Sequence, residues 1–326
     1  MKKIALYASL LALIGFIGYL VWNPMQSKSL EARSVMETAM QIVREDKPTP
    51  PQSSRFYAIV STQYYDKLLT KPVNLDSDFS TSTLREILTQ IVNEDDANSE
   101  GFVMKVGPEY WNQTKGWTKE DKKPFSPQAV KMNPFIIDDK FTYQVPPPPV
   151  FGSAEFKAAL AEVKNAAERR TPEQGALINF WGGVPGTEAP AGIWQNRFYD
   201  VTKKYHLSNQ EYAYAQMVLA QSLADSFREC WKTKSIYQTK RPTMSDPSIP
   251  LAMANPPFPS YVSGHSTISF TAATVLGQMF PKDKDLFFTD AKAAKDSRLN
   301  AGIHFPHDND EGEKLGNAVG QFVIQK

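Results

Sequence analysis

SNQEYAYAQMVLAQSLADSFRECWKTK, residues 208–234, is the stretch whose reading decides the fold. Ser208-x-x-Glu211 has the form of a capping box, in which a hydroxyl and a carboxylate satisfy each other's free N–H groups at a helix start. Ala220, Leu223, Phe227 and Trp231 then recur every three or four residues, the spacing of one buried helix face, and Lys234 follows on that face. The pattern predicts a helix from Ser208 to about Lys234. The same periodicity predicts helices over Ser53–Leu69 (Phe56, Ile59, Val60, Tyr64), Ser80–Val92 (Leu84, Ile87, Leu88, Ile91), Glu155–Arg170 and Ser266–Phe280 (Ile268, Ala272, Val275, Leu276, Met279). Asp290–Gly302 reads as another, ended before Pro306, and a last one begins at about Asp308. It carries Gly312, Gly316 and Gly320 at intervals of four, which permit close helix packing. Lys47-Pro-Thr-Pro-Pro51 breaks one helical pattern before the next, and Asn179–Gly192 reads as a loop. No strand alternation and no tandem repeat occur, so the expected class is all-α.

A composition of 41% hydrophobic and 22% charged residues is that of a globular protein. The expected organisation is one helical domain over 51–326, with a proline-rich, charged, irregular insertion at about 95–150. A net charge of +1 speaks against a nucleic-acid partner. Any strong positive field must come from placement rather than excess. Ahead of the domain, Met1-Lys2-Lys3 precedes an uncharged run from Ile4 to Trp22. Its length just suffices for a membrane span, and its flanks are those of an export signal. Residues 1–25 are therefore expected to be a signal peptide or membrane anchor and 26–50 a linker, within which 26–47 reads as a polar, amphipathic helix or a tether. The implied location is exported, periplasmic or cell-surface, tethered through residues 4–22, the membrane contact being confined to that segment. Cys230 is the only cysteine, which excludes an intrachain disulfide, a four-cysteine zinc site and a CxxC pair.

Three short segments carry chemistry. In the first, Lys234 and Arg241 lie seven residues apart, about two helical turns, and Pro242 ends the element. The second, Phe258-Pro-Ser-Tyr-Val-Ser-Gly-His265, runs straight into a helix, whose N-terminus offers free N–H groups to an oxyanion. There Ser263 adds a hydroxyl, Gly264 permits close backbone approach, and His265 stands as an acid or base near neutrality. The third is Ser297-Arg298-x5-His304-x3-Asp308, where Asp308 is placed to orient His304 through one ring nitrogen. Taken singly, each segment also reads as a charged helix end, a capping turn or an Arg–Asp pair. Together they make a complete oxyanion site, with three cations set against an anion of charge about −2 or −3.

These segments resemble the signature of the superfamily that unites type 2 phosphatidic acid phosphatases, bacterial acid phosphatases and vanadium haloperoxidases. That pattern is Lys-x6-Arg-Pro, Pro-Ser-Gly-His, then Ser-Arg-x5-His-x3-Asp. Every polar position is kept, and Val262 replaces a proline. Further stretches look like exported bacterial haloperoxidases: Leu223-Ala224-Asp225, Cys230-Trp231-x-x-Lys234, the whole of Phe258–His265, Gly302–Asn309, Pro190–Trp194 and Pro50–Asp66 with its Ser54-Arg55. The resemblance spans residue 50 to the end and implies a helical bundle of that type.

In the haloperoxidase branch the resemblance implies vanadate as cofactor, with His304 as its metal ligand. Lys234, Arg241, Ser263, Gly264 and Arg298 then hold the oxygens, and His265 manages protons as peroxide binds. Trp231 and Phe258 are expected on the halide or substrate side, and the substrates are hydrogen peroxide and halide. In the phosphatase branch, soluble acid or phosphatidic acid type, no cofactor is needed and the substrate is a phosphate ester. There His304 attacks phosphorus to form a phosphohistidine, Asp308 steadies it, and His265 protonates the leaving group. A non-catalytic, anchored binding protein is the third reading. His307 is expected to be solvated or else to contact the site residues or the substrate, His206 to be structural, and Asp225 to brace a site cation or lie on a helix surface. The motifs do not separate haloperoxidase from phosphatase, because both use the same cage.

Overall fold

In the computed structural model, described for residues 31–98, 103–111 and 126–326, the 208–234 stretch lies within the longest helix. The elements in chain order are α1 Glu31–Asp46, α2 Pro50–Thr70, α3 Leu75–Asp78, α4 Thr81–Asn98, α5 Ala154–Glu168 and α6 Pro172–Phe180. They continue with α7 Ala189–Thr202, α8 Asn209–Tyr237, α9 Gly264–Met279, α10 Lys284–Asn300 and α11 Pro306–Ile324. Short 3-10 turns lie at Pro127–Lys131, Pro242–Met244 and Pro281–Asp283. Among the described residues there is no strand, only two isolated bridges. None of the described helices is long and apolar enough to cross a membrane. The apolar run 4–22 and the start of the expected linker lie outside the described residues.

The capping box at Ser208 forms: the Glu211 carboxylate accepts from the Ser208 N–H at 2.9 Å, and the Ser208 hydroxyl accepts from the Glu211 N–H at 3.3 Å. The helix ends at Gln238, whose left-handed φ of 48° stops propagation while its N–H reaches the Lys234 carbonyl at 2.9 Å. Between these ends α8 is buried on several sides, with Leu219, Leu223, Phe227 and Trp231 in the main core. Helix α9 is more enclosed still, buried from Ser266 through Gly277.

The glycine series explains how α11 lies against α9. A Cβ on Gly312 would come within 2.7 Å of the Ser263 carbonyl oxygen, and one on Gly320 within 2.6 Å of Thr274 Cβ. On Gly316 it would run directly into the Thr267 carbonyl. Bare backbone at these three positions brings the two helices together, and the Ser263 N–H then donates to the Asp308 carbonyl at 2.9 Å. The start of α9 and the start of α11 are thereby fixed side by side.

Several boundaries differ from expectation. The segment expected as linker over 26–50 takes its amphipathic-helix reading from Glu31 to Asp46, and that helix belongs to the core rather than to a linker. Ala32, Val35, Met36, Ala39, Met40, Ile42 and Val43 all point inward, and each of the larger ones contributes roughly 1.5–3 kcal/mol of transfer free energy. Its charges sit on the opposite face, which gives the segment its polar look. The loop expected to reach Gly192 ends at Ala189, because Pro190 fits the first turn of α7. Helix α10 starts earlier than expected, drawn in by the buried Phe287. Asp225 is neither a cation brace nor a surface carboxylate. It is buried and accepts from the N–H groups of Phe135, Ile136 and Ile137 at 2.7–2.8 Å, pinning the irregular insertion to α8. Burial pushes its carboxyl above the ordinary value, against the three N–H donors that favour its charge.

Candidate active site

The expected residues converge where the starts of α9 and α11 meet the end of α8. His304 is the hub. Its Nδ1 lies 2.9 Å from Asp308 Oδ2, and its Nε2 lies 2.8 Å from Arg241 Nη1. Guanidinium only donates, so Nε2 is the accepting nitrogen and Nδ1 carries the proton. Burial and the facing Arg241 guanidinium hold the ring's pKa well below 6.5, leaving His304 neutral. Asp308 is fully buried and also accepts from the Phe305 N–H at 3.0 Å and from the Ser260 hydroxyl. Burial alone would raise its carboxyl, but these donors and the neighbouring His307 outweigh it and hold the value at about 2. The pair is therefore a carboxylate receiving an N–H from a neutral imidazole.

Lys234, Arg241 and Arg298 are all buried, at 1%, 0% and 0% exposure. Arg241 donates to the carbonyls of Phe258 (3.1 Å) and Ile303 (2.9 Å), and its Nη2 is buried without a partner. Arg298 reaches Ser297 Oγ at 2.9 Å and the Ile178 carbonyl at 3.3 Å. Lys234 differs from expectation. Its ammonium does not stand free but donates to the carbonyls of Pro259 (2.8 Å), Ser260 (2.8 Å) and Val262 (2.5 Å), bracing the donor turn from behind. Burial lowers Lys234 to about 7 and both arginines to about 9. Among the described residues, Asp308 is the one carboxylate whose charge acts on Lys234 and Arg241.

The donor turn itself is Ser263-Gly264-His265. Ser263 caps α9, its hydroxyl accepting from the Ser266 N–H, which leaves its own proton to donate. The His265 ring bonds to the main chain of Trp181, and its Nε2 is buried with no partner. Burial and the charges of Arg298 and Arg241 lower its pKa well below 6.5, so this imidazole is neutral too.

A cavity of about 290 Å³ opens onto Gly264, His265, Arg298 and His304. Trp231 and Phe258, expected on the substrate side, form part of its apolar wall, with ring centroids 5.0 Å apart. Lys234 Nζ lies 5.3 Å from the Phe258 ring centre and the Arg241 guanidinium 5.0 Å, so that ring cushions two cations while it lines the cavity. Cys230 is a buried core residue beside Gly264. His307 takes the second of its two expected roles, stacked on Phe305 at 5.0 Å with Nε2 3.6 Å from Asp308 Oδ1. His206 is exposed, two residues before the α8 cap. Sequence reasoning missed Ser260, although it lies inside the Phe258–His265 stretch. It also missed the outer wall from Lys47–Pro50 and Gly182–Pro190, which no local motif announces.

No family model matches the chain, and no curated protein matches it in sequence. Solved structures do match. A bacterial vanadium-dependent iodoperoxidase superposes with a TM-score of 0.72 at 20% identity, over 93% of this chain and 97% of that one. A holo-type bacterial vanadium-dependent chloroperoxidase gives 0.56 at 13% identity, over 91% of each chain. The apo-type chloroperoxidase gives 0.55 at 12%, over 94% and 95%. The chain thus has the all-α fold of bacterial vanadium-dependent haloperoxidases over 91–94% of its length.

Proposed function

We propose that this protein is a vanadium-dependent haloperoxidase, which oxidises halide with hydrogen peroxide. One observation carries the reading. Three cations, Lys234, Arg241 and Arg298, are buried, Asp308 is the one carboxylate among the described residues whose charge acts on Lys234 and Arg241, and Arg241 Nη2 and His265 Nε2 are buried with no partner. Buried charge and buried polar groups without partners are costly, so an oxyanion of charge about −2 is the group that completes the site. Vanadate fits that need. His304 Nε2 would ligate the metal, and Arg241, Arg298, the Ser263 hydroxyl and the Gly264 N–H would hold its oxygens. Lys234 contributes its charge and fixes the turn that presents Ser263 and Gly264.

Vanadate, when bound, supplies a Lewis acid that makes peroxide electrophilic toward halide. The chain's own residues do the remainder. Asp308 keeps the proton on His304 Nδ1, so Nε2 carries the lone pair, which accepts from Arg241 Nη1 in this structure and would turn to the metal. His265, neutral and with Nε2 free, is placed to take a proton from peroxide and return it as water leaves. The apolar wall of Trp231, Phe258 and Phe227 limits water around the reacting atoms.

A phosphohydrolase reading is favoured by one feature, the Asp308–His304 pair, which is also how a histidine nucleophile is oriented. It asks His265 to donate a proton to the leaving group, the same ring that handles the proton in the haloperoxidase reading. Parallel assays on the full chain separate the two. Halide oxidation that requires both vanadate and peroxide supports the proposal. Phosphate-ester turnover inhibited by vanadate, with no halide oxidation, refutes it. We also propose export with an N-terminal tether, on the pattern of residues 1–22. Recovery of the protein in the cytoplasmic fraction would refute that.

A further inference from the structure

The inner end of the cavity is the cage; its outer end has chemistry of its own. Two short segments make that end, Lys47–Pro50 and Gly182–Pro190. Backbone geometry fixes both. Gly183 has φ +59°, and a side chain there would run into Pro190 Cγ at 2.6 Å. Lys47 has φ 52°, a left-handed conformation that costs a lysine about 1–2 kcal/mol. It is held by its N–H to the Val43 carbonyl at 3.0 Å, directly before Pro48. This turn sends the side chain across the facing loop, where Lys47 Cε lies 3.9 Å from the position a Cβ would take on Gly186.

Charge sharpens the point. The ionisable side chains on the cavity wall are Lys47, His265, Arg298 and His304, with no carboxylate among them. Among the described residues of that wall Arg298 and His304 are buried and His265 is half-buried, so Lys47 is its exposed cation. The acidic residues flanking these two segments are each occupied elsewhere: Asp46 by Arg85 at 3.2 Å, Glu45 by the same Arg85, and Glu188 by Asn196 at 3.0 Å and Arg44 at 3.8 Å.

We propose that Lys47 is the entry residue for small inorganic oxyanions, drawing them into the cavity toward the His304 cage. The proposal rests on the reading of that cage as an oxyanion site. A lone charge at the mouth accelerates capture of an opposite charge and is silenced by salt. At a separation of ~10 Å in water, one unit charge changes the capture rate of a monoanion about twofold.

The test is stopped-flow binding of inorganic vanadate to the full chain, read by tryptophan fluorescence because Trp231 lines the cavity. Equilibrium dialysis runs alongside. At low ionic strength, Lys47→Gln should slow association about twofold and Lys47→Glu about fourfold, while Lys47→Arg keeps the wild-type rate. The differences should disappear at about 0.5 M salt, and dissociation rates should stay unchanged. A purely structural role in the turn would instead alter dissociation or thermal stability, independent of salt. Equal association rates at low salt, or slowing that persists at high salt, would overturn the proposal alone. A wild type that binds no vanadate in dialysis would overturn the oxyanion reading and this proposal with it.

Discussion

Asp308→Asn changes one buried charge while keeping the shape of the side chain. In the wild type its Oδ2 gathers three donors, His304 Nδ1 at 2.9 Å, the Phe305 N–H at 3.0 Å and the Ser260 hydroxyl. The carboxyl stands at about 2 against an ordinary 3.8, which corresponds to roughly 2–3 kcal/mol of stability at neutral pH. The sign follows from the direction of the shift. A lowered pKa means the contribution is complete above 3.8 and is lost as pH falls through about 2. An asparagine oxygen still accepts hydrogen bonds, but the charge that offsets Lys234 and Arg241 is gone. The variant should lose about 2–3 kcal/mol, a fall in Tm of roughly 5 °C for a chain of this size. It should also gain less Tm from added vanadate, since His304 is no longer held in one tautomer. Calorimetry with and without vanadate at pH 7 reads both effects. Wild-type stability within 0.5 kcal/mol, together with an unchanged vanadate shift, would refute the view that Asp308 anchors the site.

Other outcomes follow from the same geometry. Gly316→Ala places a methyl against the Thr267 carbonyl and should cost at least about 2–3 kcal/mol by denaturant unfolding, whereas Gly175→Ala, helical and with open space around it, should stabilise by about 0.5–1 kcal/mol. Asp225→Ala leaves three N–H groups of residues 135–137 without their acceptor, so hydrogen exchange there should accelerate. Stability should decline as pH falls below 6.5, because unfolded histidines take up protons that buried, neutral His265 and His304 refuse. The slope from these two approaches ~3 kcal/mol per pH unit, and a flat stability profile from pH 7 to 5 would contradict it.

The three motif segments were legible because their chemistry is local: Ser263 to His265 cap one helix, and His304 and Asp308 sit one turn apart. The capping box at Ser208 and the glycine series of α11 were legible for the same reason, since helix periodicity places their neighbours. What the sequence left unread depends on distant contacts. Lys234 looked like a free donor, and only the fold brings the carbonyls of Pro259, Ser260 and Val262 around it. Asp225 looked like a helix charge until residues 135–137 folded over it. Residues 31–46 read as an amphipathic helix or a tether, and only the fold supplies α2 and α8 as the neighbours that bury its apolar stripe. The outer cavity wall joins residues 47–50 to 182–190, a pairing no local pattern encodes.

The central claim is that the His304 cage binds vanadate as a working cofactor. Titrating vanadate into the metal-free full chain, while following halide oxidation by hydrogen peroxide, tests it most directly. Activity should rise from zero to a plateau at one vanadate per chain and be absent in His304→Ala. A chain that saturates with vanadate yet oxidises no halide, while its phosphate-ester hydrolysis falls in step with the bound vanadate, would contradict it.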